Sequence, residues 1–305
     1  MTLELTKDDF KRAEELLRAA ESRHFTELWT AYGLERRKWS EDPEVIRNSP
    51  VIRFTPASPD DLERICCDSF FLPEYGALID IGDQYSTKAL IENLNALGYS
   101  LDAIHSIYLT HTHADHFGRP ELFVNKDGPI PVLTSVEEFN SYMKNPLNAL
   151  NACVCWKMDA DEEENHVGRQ ALLAMDSSKY AGQLMPIDDN TQVNGISHRQ
   201  IQIEDLEKGP LPEGEMGYVV LPGHHSSGDM TPVLGNFVFC GDIFSSTGSY
   251  SGNRKRYLSQ VGSLKGLVMI KSVLSKFAKI IPGHCQNYFH SKGITRSGEN
   301  IQYAT

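Results

Sequence analysis

Apolar and polar positions follow two different patterns along this chain, and the change falls close to residue 50. Within residues 1–48 the apolar side chains recur at helical spacing: Phe10, Ala13, Leu16, Leu17 and Ala20, then Phe25, Leu28, Trp29, Tyr32 and Leu34. Such stripes predict two amphipathic helices. We therefore predict an N-terminal helical extension over residues 1–48, whose apolar stripe packs against the core or against a second subunit of a homo-oligomer.

The chain from Val51 onward carries short apolar runs separated by turns, which is typical of buried strands. These runs cover residues 51–54, 65–72, 77–81 and 104–109. Helical patterns are found at residues 87–97, with Gly98 as a stop signal, and at residues 136–144. Because strands alternate with helices, the pattern predicts an α/β fold.

The densest cluster of metal-binding side chains follows the apolar run at residues 104–109. It reads His-Thr-His-Ala-Asp-His and contains His111, His113, Asp115 and His116. His111 and His113 lie two residues apart, so on an extended segment they face the same way and can bind one ion. Asp115 and His116 point elsewhere, which suits a second ion. Imidazole and carboxylate ligands favour zinc, iron or manganese.

Four further positions have the same setting, a His or Asp in a glycine-containing turn at the end of an apolar run: Asp80, His224, Asp242 and His284. Strands of one sheet can deliver such residues to a common edge. In order and type, these positions and the histidine cluster resemble the five motifs of the metallo-β-lactamase superfamily. The resemblance covers roughly residues 51–290. It implies a four-layer αβ/βα sandwich over residues 49–305, with metals at one edge of the sheets.

The resemblance also implies the roles of these side chains. It implies two divalent metal ions, most simply zinc, with iron or manganese as alternatives. One ion would be bound by His111, His113 and His224. The other would be bound by Asp115, His116 and His284, and Asp242 would bridge the two. Asp80 would orient the ligating histidines. A metal-bridging hydroxide would attack a carbonyl, and Asp115 would carry the proton to the leaving group.

These roles imply a hydrolase that cleaves an ester, thioester, lactone or amide of a small metabolite. An iron-dependent oxygenase and a phosphodiesterase are the alternatives. The formal charge of −12 argues against a nucleic-acid partner. No apolar run is long enough to span a bilayer, and the first residues lack the apolar region of a secretory signal. A cytoplasmic enzyme with no membrane partner and reduced cysteines is expected.

Three features leave alternatives open. His225 directly follows His224, so either is a candidate ligand, with His224 favoured because it follows Pro-Gly, and His225 would otherwise contact substrate. Arg254 lies in a basic run that suits either an anionic substrate or a solvated face. Residues 146–196 form an insert that contains Trp156 and several methionines. This composition suits either a lid over an apolar substrate or a surface hairpin packed on the body of the protein.

Overall fold

Two mixed β-sheets organise the chain. The computed structural model describes the following residues: 43–54, 67–83, 86–113, 115–144, 182–189, 191–202, 205, 211–212, 214–221, 226–235, 237–245, 279–284 and 301–303. They fall into two compact units, and each unit contains one sheet. The first unit holds the described residues up to 187 together with residues 301–303, and the second unit holds residues 188–284.

The sheet of the first unit has seven strands. In chain order they are β1 (Ile52–Phe54), β2 (Ser69–Leu72), β3 (Ala77–Ile79), β4 (Ser106–Tyr108), β7 (Val132–Ser135), β8 (Leu184–Ile187) and β15 (Ile301–Tyr303). Their spatial order is β15-β1-β2-β3-β4-β7-β8. The pairs from β15 to β3 are antiparallel, whereas those from β3 to β8 are parallel. A two-stranded ribbon, β5 (Val124–Asn125) with β6 (Gly128–Pro129), lies between β4 and β7 in the chain.

The described residues of the first unit include three α-helices, α1 (Pro43–Arg47), α2 (Ser86–Ala96) and α3 (Val136–Lys144). The helix predicted at residues 136–144 is confirmed, and α2 lies within one residue of its predicted bounds. Gly98 ends α2 with a φ of +88°, and Tyr99 N donates to Leu94 O at 3.0 Å, which completes a Schellman motif. Among the described helices none is long and apolar enough to cross a membrane.

Side chains of β1 to β4, β7, β8 and α2 share one hydrophobic core. Strands β3, β4 and β7 are buried at every position, so their sequences show no alternation of apolar and charged residues, and their polar members are the small residues Ser106, Thr134 and Ser135. Arg53 of β1 and Asp68 form a buried ion pair, in which Nη2 of Arg53 lies 2.8 Å from Oδ2 of Asp68. The pattern from Val51 onward therefore predicts the buried strands correctly.

The sheet of the second unit has six strands. They are β9 (Gln192–Val193), β10 (Ile196–Gln200), β11 (Glu215–Leu221), β12 (Asp229–Leu234), β13 (Phe237–Ser245) and β14 (Lys279–His284). Neighbouring strands follow chain order, with β10 parallel to β11 and β13 parallel to β14. The predicted α/β class and two mixed sheets are thus confirmed.

The amide of Gln183 joins distant backbone segments of the first unit. Its Nε2 donates to Pro120 O at 2.8 Å, Ile130 O at 2.9 Å and Phe123 O at 3.3 Å. Gln183 is buried, and Pro120 O and Phe123 O also accept from Phe123 N and Ile130 N at 2.9 Å each, so the amide adds a second donor to both carbonyls. The amide therefore fixes the segment between the histidine cluster and β7.

Part of the predicted insert at residues 146–196 belongs to the two sheets. Leu184–Ile187 is β8, paired in parallel with β7, and Met185 is 43% exposed on that strand. A lid can therefore be considered only for the part of the insert before β8. Residues 146–181 of the insert, with Trp156, lie outside the described residues, as do residues 1–42 of the N-terminal extension predicted at 1–48, whose residues 43–47 form α1. The lid and the homo-oligomer contact stay predictions.

Gly118 lies against the backbone that begins α2. A Cβ atom at this position would lie 2.4 Å from Asp83 O and 2.4 Å from Thr87 Oγ1, closer than packed atoms can come. We expect Gly118→Ala to lower the free energy of unfolding by about 1–3 kcal/mol, the usual cost of overpacking. Gly182→Ala is the matched control, because nothing lies within 4 Å of its Cβ. Denaturant unfolding measures both, and equal stabilities would contradict the close contact.

Candidate metal site

The predicted ligand cluster lies where three parallel strands of the first unit end. Asp80 follows β3, residues 110–116 follow β4, and α3 starts directly after β7. These strands are neighbours in the order β3-β4-β7. Because parallel strands bring their carboxyl ends to one edge, residues far apart in the sequence meet there. The sheet thus builds one face of the site from three segments.

Asp80 is the hub of the hydrogen bonds at this edge. Its carboxylate accepts from Thr110 N at 2.8 Å and from Thr110 Oγ1 at 2.9 Å, and it lies 2.8 Å from Nδ1 of His116. Asp80 is buried and has a φ of +52°, a left-handed conformation that Asp tolerates better than most residues. This conformation ends β3 and turns the carboxylate toward the loop after β4.

The imidazoles of His111, His113 and His116 are buried and packed together. The ring centroid of His111 lies 4.3 Å from that of His113 and 4.1 Å from that of His116. Thr110 Oγ1 gives its proton to Asp80 and lies 3.1 Å from His111 Nδ1, so it accepts there. The network therefore assigns the Nδ1–H tautomer to His111, and to His116 beside the Asp80 carboxylate. In both rings Nε2 then carries the lone pair.

The carboxylate of Asp115 lies beside Nε2 of His116. Its Oδ2 is 3.8 Å from Nε2 of His116, and its side chain is 16% exposed. The shared-ligand role that the resemblance implies for Asp115 and His116 stays a prediction. A carboxylate that is partly exposed can exchange protons with solvent, which suits the proton-carrying role predicted for it.

Cys67 is a neighbour of this site that the sequence reasoning missed. Its Sγ, a carboxylate oxygen of Asp80 and a ring nitrogen of His116 lie within 4.8 Å of one another. Burial raises the pKa of the Cys67 thiol to about 12, and the neighbouring His116 opposes that rise. Cys67 is therefore a neutral thiol against the Asp80–His116 pair. The Cys66-Cys67 dipeptide has no spacing that signals this contact.

Glu138 is the second residue that the sequence reasoning missed. Its carboxylate is buried and accepts hydrogen bonds from Thr112, the residue between His111 and His113. Glu138 lies in the sequence Ser135-Val136-Glu137-Glu138, which has the S-x-x-E pattern of a helix start. The sequence alone therefore indicates only a capping role for this residue.

The second unit carries the remaining predicted ligands. Asp242 is buried on β13, and the backbone of His284 ends β14, the parallel neighbour of β13. His224 and His225 follow β11 in the sequence and lie outside the described residues, as does Arg254. The choice between His224 and His225 and the contact of Arg254 with substrate therefore stay predictions.

The donor set at the edge of the first sheet fits a divalent metal ion. Neutral imidazoles with their Nδ1 atoms held by a carboxylate or hydroxyl are the usual form of histidine ligands. Thr110 and Asp80 supply these partners to His111 and His116, which leaves the two Nε2 lone pairs as donors. Nitrogen donors with a nearby carboxylate favour zinc, iron or manganese over calcium or magnesium.

Comparison with solved structures finds several of similar fold. The chain is 16% identical to AidC, a dizinc quorum-quenching lactonase, with a TM-score of 0.45 and 78% of each chain covered. It is 17% identical to a metallo-β-lactamase family protein from Thermus thermophilus, with a TM-score of 0.44, covering 77% of this chain and 73% of that one. DIM-1 metallo-β-lactamase is 12% identical, with a TM-score of 0.44, covering 81% and 89%. No protein-family model and no curated protein match the chain.

Proposed function

We propose that this protein is a metal-dependent hydrolase of the metallo-β-lactamase superfamily that cleaves an ester, thioester, lactone or amide of a small metabolite. The observation that carries the proposal is the buried imidazole cluster, in which Asp80 and Thr110 hold the Nδ1 side of two rings. Buried imidazoles whose Nδ1 atoms are held by a carboxylate or a hydroxyl are the usual form of histidine metal ligands.

The residues of the chain divide the work as follows. His111 and His113 would bind one metal ion and Asp115 and His116 the other, while Asp80 keeps the tautomer and orientation of His116. When bound, a divalent ion lowers the pKa of a coordinated water from about 15.7 to about 7 and polarises the carbonyl of the substrate. Asp115, which is partly exposed beside His116, moves the proton toward the leaving group.

The sequence motifs supply the remaining ligands of the proposal. His224 would join His111 and His113 on one ion, and His284 would join Asp115 and His116 on the other. Asp242 on β13 and His284 on β14 match the motifs in type and order, as does His224. We include them as ligands because their motifs follow the histidine cluster in the order that the superfamily shows.

The test combines metal analysis with a substrate panel. Freshly purified protein is analysed for zinc, iron and manganese, then assayed on esters, thioesters, lactones, lactams and phosphodiesters, with and without chelator. We expect bound metal and hydrolysis of at least one carbonyl substrate that chelator abolishes and added metal restores. Turnover of phosphodiesters alone, or oxygen consumption by an iron form, would replace the proposal with that chemistry. A protein without metal or chelator-sensitive turnover would refute it.

A further inference from the structure

A carboxylate from α3 holds the centre of the His-x-His motif. Oε1 of Glu138 accepts from the backbone N of Thr112 at 2.9 Å and from Oγ1 of Thr112 at 2.6 Å. Both residues are buried, and 26 positions separate them in the chain. One oxygen thus fixes both the main chain and the side chain of the residue between His111 and His113.

The sheet places Glu138 at this loop. Strand β7 is the parallel neighbour of β4, and Leu109 N donates to Leu133 O at 2.8 Å where β4 ends. Helix α3 begins directly after β7, so its first turn lies at the edge from which the histidine loop leaves. Ser135 Oγ accepts from Glu138 N at 3.1 Å and fixes the start of the helix. The position of Glu138 therefore follows from strand order and a helix cap.

Glu138 complements Asp80 across the ligand loop. Asp80 accepts from the backbone N and the hydroxyl of Thr110, and Glu138 accepts from the same two groups of Thr112. The residues on both sides of His111 are therefore each held twice by a buried carboxylate. Fixing these two backbones restricts the directions in which the side chains of His111 and His113 leave the chain.

We propose that Glu138 is a positioning residue that sets the metal affinity of the His111–His113 pair through Thr112. The proposal rests on the proposed function, since it requires that these histidines bind metal. It assigns to Glu138 a role beyond helix capping. Loss of a residue that orients metal ligands typically weakens metal binding about 10- to 100-fold.

The test measures Co²⁺ and Zn²⁺ affinity by competition with a chromophoric chelator, together with the visible absorption spectrum of the Co²⁺ form. We expect Glu138→Ala to weaken binding about 10- to 100-fold and to alter the spectrum, because Thr112 loses its acceptor. Glu138→Gln should recover part of the affinity, since its amide oxygen still accepts from Thr112. Glu137→Ala is the matched control, because Glu137 is exposed one position earlier on α3; it should match the parent.

Two further variants separate positioning from general instability. Leu94→Ala removes a core side chain of α2, so it should lower stability while keeping the parent affinity and spectrum. Thr112→Val removes the hydroxyl bond and keeps the backbone bond, so it should weaken binding several-fold, and Thr112→Ser should restore it. If Glu138→Ala fails to fold, the metal affinities of Thr112→Val and Thr112→Ser test the positioning role in its place.

The outcomes distinguish this inference from the proposed function. A parent protein that binds no metal refutes the proposed function itself. A parent that binds metal, with unchanged affinity and spectrum in Glu138→Ala and Thr112→Val, refutes the positioning role and leaves the hydrolase proposal standing. A loss in Glu138→Ala no larger than that in Leu94→Ala also refutes the positioning role.

Discussion

Replacing His116 with alanine should remove bound metal and hydrolysis together. His116 is buried, its Nδ1 lies 2.8 Å from Asp80, and its ring packs against His111, so alanine at this position removes an oriented imidazole from the centre of the cluster. We expect turnover to fall about 10³-fold or more, the scale seen when a group that stabilises the transition state is removed. Elemental analysis and steady-state kinetics on the same preparation measure both effects.

The control for this experiment is His105→Ala. His105 is exposed just before β4, so its loss removes an imidazole from the same part of the chain without touching the cluster. It should keep the metal content and turnover of the parent protein. Full metal occupancy in His116→Ala would show that His116 is not a ligand.

Replacing Asp80 with alanine should lower the free energy of unfolding by roughly 3–6 kcal/mol. The substitution leaves Thr110 N, Thr110 Oγ1 and His116 Nδ1 without their acceptor, and each buried polar group left unpaired costs about 1–3 kcal/mol. The φ of +52° adds strain, because alanine tolerates the left-handed region less well than Asp does. Denaturant unfolding of the metal-free protein measures the loss.

Asp80→Asn is the informative companion. Asparagine tolerates the same backbone conformation and keeps one acceptor oxygen for Thr110, but it places an amide where the carboxylate faced His116. We expect a smaller loss of stability than in Asp80→Ala together with weaker metal binding. Equal stability of the alanine variant and the parent would contradict the role of Asp80 as the hub of the loop.

The elements that the sequence predicted well are those whose signals are local. Helix α3 carries a serine cap followed by a glutamate, and α2 ends at a glycine, so both could be placed within a residue. Strand β4 lies inside the predicted run at residues 104–109, because a strand buried on both faces is rich in apolar residues and has no charged ones. The position of the histidine loop was predictable because it directly follows this strand, and metal ligands are often found in loops at strand ends.

Features that depend on distant contacts could not be predicted. Strand β8 contains Pro186 and exposes Met185, so its sequence lacks the pattern of a buried strand and it fell within the predicted insert. A proline is tolerated in β8 because the strand lies at the edge of its described sheet. Glu138 and Cys67 reach the site only because the sheet brings β7 and β2 near β4, and no spacing in the sequence records that order.

The three hydrogen bonds of Gln183 bear on how the chain folds during synthesis. The carbonyls of Pro120, Phe123 and Ile130 accept from a donor that is 63, 60 and 53 positions further along the chain. Contacts of such sequence separation form late, because the entropy of closing a long loop must be overcome first. The carboxylates of Asp80 and Glu138, which hold the histidine loop, are synthesised earlier than Gln183. The nascent chain therefore contains the partners of the loop itself before it contains the amide that joins the segment after it.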